Sequence, residues 1–164
     1  MAIVDLKRLV GRLNGRSRRT LETAAALTLS RTHYNVEIGH WLVTLAADID
    51  LDVTAVLQHY GVDRERLAAD LSRTLGNWST GNAGAPALAP EIVELIKQAW
   101  MVASIEQEAT RIRSGHLLWG LIADERLAQR AREVSEQLLK IDQDALKRDF
   151  ATITASSVEG QEAP

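Results

Sequence analysis

The chain has 164 residues, 46% hydrophobic and 25% charged, with a formal net charge of −3. That length closes one real core or two small subdomains. The absence of cysteine excludes disulfide scaffolds, thiolate zinc sites and cysteine nucleophiles. No apolar run approaches the ~20 residues that cross a bilayer, and Met1–Lys7 carries an acid and a base, unlike a secretory signal. A soluble cytoplasmic domain, with no membrane role, is the expectation.

With three prolines and abundant Ala, Leu, Glu and Arg, the chain reads as nearly all helix. Ile3 to Leu13 places Ile3, Leu6, Leu9, Val10 and Leu13 on one arc and Lys7, Arg8 and Arg12 on the other. A second helix spans about Ser17–Ser30, with Leu21, Ala24, Ala25, Leu27 and Thr28 inward. After the break at Arg31–Asn35, a third covers Val36–Ala47 through Ile38, Trp41, Leu42 and Leu45. Asp52 opens a short helix ended by Gly61, and Asp63 caps the next one. Residues 77–89 read as an inter-repeat linker rich in Gly and Pro. Pro90 starts a helix to about Glu108, followed by helices over Gly115–Ala123, Arg126–Leu139 and Asp142–Phe150. The tail, 154–164, is small and polar and is expected to be disordered or to begin a linker to something further along.

An internal repeat is the strongest structural signal. Ile38-Gly39-His40-Trp41-Leu42 reads against Ser114-Gly115-His116-Leu117-Leu118, with the two histidines 76 residues apart. Val62-Asp63 with Leu67 and Leu71 matches Ile141-Asp142 with Leu146 and Phe150. Two pseudo-symmetric four-helix units, about 16–76 and 90–152, follow within one domain over 1–153.

Catalytic chemistry is hard to place. No phosphate-binding loop with its lysine exists. His40 and His116 occupy equivalent places in separate repeats, which predicts local hydrogen bonds at two helix starts rather than a shared metal. Ser114 lies near His116 without an orienting acid. Residues 1–35 carry net +5, leaving −8 on the rest. The basic run is a solvated helix face or a docking surface for an acidic partner; it lacks the interleaved aromatics of nucleic-acid binders. The small-residue helix beside the leading amphipathic helix forms either a shallow apolar groove for a partner helix or a tight internal packing.

The doubled unit with Gly-His-Leu-Leu at a helix start resembles the Clp N-terminal domain, an all-α fold of two pseudo-symmetric four-helix repeats. Tyr34–Leu42, Ala99–Glu106 and Ile112–Leu118 look like its ClpV branch, which carries an extra N-terminal helix. Gly39 departs from the glutamate common at that place. The resemblance covers roughly residues 3–153. It implies a substrate-recognition domain of a sheath-disassembling AAA+ unfoldase of type VI secretion. Its partner would be an N-terminal helix of the larger sheath subunit, held in a hydrophobic groove; the alternative is a general Clp N-domain for adaptors or unfolded substrates. This chain would be no enzyme and hold no cofactor, with ATP and Mg in absent ATPase modules. The parent would be a homohexamer and the isolated domain a monomer, with no nucleic-acid partner. Helical phase and the family analogy nominate Leu6, Leu13, Thr20, Leu21, Ala24, Leu88 and Ile92 as groove lining, with Arg16 and Arg19 touching the bound helix.

Overall fold

A computed structural model describes residues 6–161. Its elements run α1 (Leu6–Gly11), α2 (Gly15–Ser30), β1 (Asn35–Val36), α3 (Ile38–Ala47), α4 (Asp52–His59), α5 (Arg64–Gly76), β2 (Ala87–Leu88), α6 (Pro90–Met101), α7 (Ser114–Ala123), α8 (Glu125–Val134) and α9 (Gln143–Ile153). A π-helical turn, Val102–Glu106, extends α6, and 3-10 turns cover Glu136–Lys140 and Val158–Gln161. The leading helix is shorter than its apolar arc: Ile3 lies outside the described residues, and Leu13 has left the helix for an extended pairing with Ile112.

That pairing and the short sheet interlock the repeats. Leu13, ahead of α2, pairs in parallel with Ile112, ahead of α7. Leu88, ahead of α6, pairs in parallel with Val36, ahead of α3. Each repeat therefore lends a short extended segment to the other, and residues 87–88, read as linker, belong to this scaffold. In the first pairing the Ile112 N–H donates to the Arg12 carbonyl at 2.7 Å and the Asn14 N–H to the Ile112 carbonyl at 2.9 Å.

Helix starts follow local chemistry. Asn14, Asp63, Asp124 and Asp142 each accept a backbone N–H from the first turn of α2, α5, α8 and α9. Gly61 ends α4 at φ 68°, a left-handed conformation open to glycine. Val36, Trp41, Leu45, Leu57, Ile92, Ile96, Leu117 and Phe150 lie in one continuous core drawn from both repeats.

Candidate functional site

The two repeated histidines are structural. The Glu37 N–H donates to His40 Nδ1 at 2.9 Å, and the Arg113 N–H donates to His116 Nδ1 at 3.0 Å. With Nδ1 accepting, the proton of each neutral ring sits on Nε2. His40 Nε2–H then donates to His33 Nδ1 across 2.8 Å. Burial, helped by His33 and Arg31, lowers His40 to about 4. Burial also lowers His116 to about 4, against the opposing pull of Asp52. These rings act as neutral cap ligands, and no group of three His, Asp or Glu fit to hold a metal exists among the described residues. Gly39 is explained by packing: a Cβ there would lie 2.9 Å from the Trp78 ring, so a larger residue would displace that tryptophan.

The nominated residues divide by depth. Leu13, Leu21, Ala24 and Ile92 are closed off from solvent and hold the helices from beneath. Leu21 and Ala24 sit inside because α2 buries the stripe Ser17, Leu21, Ala24 and Thr28 at helical spacing. Leu6 on α1 and Leu88 on β2 are half-buried. Thr20 is buried for a specific reason: its hydroxyl accepts from Trp41 Nε1 at 2.9 Å and donates to the Ser17 carbonyl at 2.7 Å.

Two surfaces emerge around them. On the first, α1 packs against α6, with Leu9, Val10 and Trp100 half-buried at the core's edge. The Arg12 guanidinium lies over the Trp100 ring, 4.8 Å from its centroid, and Arg111 donates to the Gly11 carbonyl. Arg8, Arg12 and Arg111 line a basic hollow at this end. Met101 and Ile105 project into solvent beyond it, 53% and 69% exposed.

The second surface is an apolar groove of about 640 Å³ between α2 and α3. Arg16, Arg19 and Thr20 meet there, facing Leu27, Val43 and the exposed Ile49. Arg16 also pairs with Asp48 at 3.6 Å. Val43, Thr44, Ala47, Asp48 and Ile49 make up the other half of this groove's lining and lie outside the residues the helical phase selects; the repeat register held a signal, because Thr44 stands where the second repeat has Gly120.

The comparisons agree with this architecture. The profile of the Clp repeat (R) N-terminal domain matches residues 12–138. The chain belongs to that family. The chaperone protein ClpB of Yersinia enterocolitica is 31% identical over 98% of this chain, which spans 18% of that protein. The N-domain of ClpV from Vibrio cholerae superposes with a TM-score of 0.87 at 28% identity, covering 97% of this chain and 95% of that one. A ClpV N-domain in complex with a VipB peptide gives 0.82 at 28% identity, with 97% of each chain covered.

Proposed function

We propose that the chain is the substrate-recognition domain of a ClpV-type AAA+ unfoldase of type VI secretion. It binds the N-terminal helix of the larger sheath subunit, acts in the cytoplasm and performs no catalysis itself; ATP and Mg are handled by ATPase modules of a hexameric parent. The observation that carries this reading is the likeness, over nearly the whole chain, to a ClpV N-domain in complex with a VipB peptide. The absence of a membrane-crossing helix among the described residues is compatible with it.

The docking surface in this reading is the α1 flank. Leu6, Leu9 and Val10 present aliphatic surface there while remaining half-buried, so a partner helix can cover them without unfolding anything. Leu13, Leu21, Ala24 and Ile92 belong to the core and are not offered to a partner. Arg16, Arg19 and Thr20 face α3 instead and form a separate patch. Two or three aliphatic anchors at roughly 1.5–3 kcal/mol each, less about 2–5 kcal/mol for ordering the peptide, leave at most about 7 kcal/mol, which sets the expected affinity at micromolar or weaker.

The test is fluorescence anisotropy of a labelled sheath-subunit peptide titrated with this domain at low and high salt. Saturable micromolar binding that survives salt and vanishes when the apolar face is scrambled supports the reading. Equal binding of the scrambled peptide favours the general Clp N-domain role, for which the similarity to ClpB speaks. Binding that collapses with salt moves the site to the basic run.

A further inference from the structure

The polar tail is not disordered as far as Gln161. Ser157 and Glu159 are each 3% exposed. The Glu159 carboxylate has four donors. Oε1 accepts from Asn14 Nδ2 at 3.0 Å and the Ser114 N–H at 2.7 Å, and Oε2 accepts from the Asp52 N–H at 2.7 Å and the Ser114 hydroxyl. Those donors come from three helix starts: Asn14 caps α2, Asp52 opens α4 and Ser114 opens α7. The neighbouring acid, Asp52, is engaged by Arg113 through two hydrogen bonds of 2.8 and 2.7 Å, so its charge is answered. Elsewhere the tail is held lightly. The Val158 N–H and the Ser157 hydroxyl reach the Asp50 carbonyl at 3.2 and 3.3 Å, and Val158, half-buried, is the largest apolar side chain between Ala155 and Gln161.

From this arrangement we propose that residues 154–161 are a detachable strap, latched by Glu159 across the seam between the two repeats. One side chain gathers most of the strap's specific bonds, while the strap buries little apolar surface of its own. Such a segment opens locally, at a fraction of the cost of global unfolding. The latch needs a carboxylate: four donors converge on two oxygens, and an amide would turn its own N–H groups toward two of them. Asn14 directly follows Leu13, whose pairing with Ile112 seats the junction between α1 and α2. Opening the strap removes the partner of Asn14 Nδ2 and is felt at that junction. The device therefore links the chain beyond α9 to the leading helix.

Hydrogen exchange with mass spectrometry on the full chain tests this. Glu159→Gln should speed exchange of the 157–160 amides at least tenfold and raise it at 13–17 and 114–117. Circular dichroism and exchange in α3, α5 and α8 should stay at wild-type values. Asn14→Asp is the second variant: aspartate still caps α2 but sets a second carboxylate against Glu159, so the same segments should open. Wild-type exchange of the strap in both variants would overturn the latch. Global loss of structure in both would overturn the detachable strap, making 154–161 part of the core.

Discussion

Thr44 and Gly120 stand at equivalent places in the two repeats and set opposite helix contacts. The Thr44 hydroxyl reaches the Thr20 carbonyl of α2 at 2.9 Å, beside the open groove between α2 and α3. At Gly120 the backbones of α7 and α6 meet so closely that an added Cβ would lie 2.9 Å from the Ala99 nitrogen. One repeat thus keeps a groove where the other is closed, and the approximate symmetry yields an asymmetric surface.

Gly120→Ala should test the closed contact. The new methyl meets backbone, which cannot swing aside, so α6 and α7 must separate. The expected loss is about 1–3 kcal/mol, read from urea denaturation. An unchanged midpoint would mean the two helices slide apart freely.

The Thr20 hydroxyl is expected to matter for stability more than for binding. Thr20→Val keeps the shape but leaves Trp41 Nε1 buried without its acceptor. That orphaned donor costs about 1–3 kcal/mol, with a shift in tryptophan fluorescence. Peptide affinity should hold at temperatures where the variant is folded.

Two substitutions separate surface from core. Leu6→Glu alters a half-buried side chain of α1, and the domain should stay folded while peptide affinity falls about tenfold, or roughly 1.4 kcal/mol. Ala24→Glu forces a carboxylate into a site with no exposure, and circular dichroism should show unfolding. If Ala24→Glu folds and only loses peptide, α2 presents Ala24 to the partner after all.

Acid should weaken the fold through its buried histidines. His33, His40 and His116 are all lowered by burial, the last two to about 4. The unfolded chain therefore binds more protons, and the stability from neutral rings, complete above pH 6.5, is lost as pH falls toward 4. For His40 and His116 this amounts to about 3 kcal/mol each at most. Glu159, raised by burial and by Asp52, works in the opposite sense near its own titration. Urea denaturation at pH 7 and 4.5 measures the balance; equal stabilities would show that the histidines do not dominate it.

The helices and the doubled unit could be read from residue order because both depend on neighbours along the chain. Apolar spacing picks the buried face, the Asp63 cap marks a helix start, and the 76-residue offset between His40 and His116 aligns the repeats. The histidine caps were legible for the same reason, being local bonds at helix starts. Depth was not. Helical phase put Ala24 on the inner face of α2, but whether that face meets a partner or the domain's own core depends on Trp41 and α3. Nor could composition show that Glu159 in a small polar tail would find donors at Asn14, Asp52 and Ser114, up to 145 residues away. Sequence by itself determined the run of helices, the Asp63 cap and the repetition, since these follow from interactions a few residues apart. Tertiary structure alone decided the interlocked extended pairs, the groove beside Thr44 and the seat of Glu159, because each is made by groups that only the closed chain brings together.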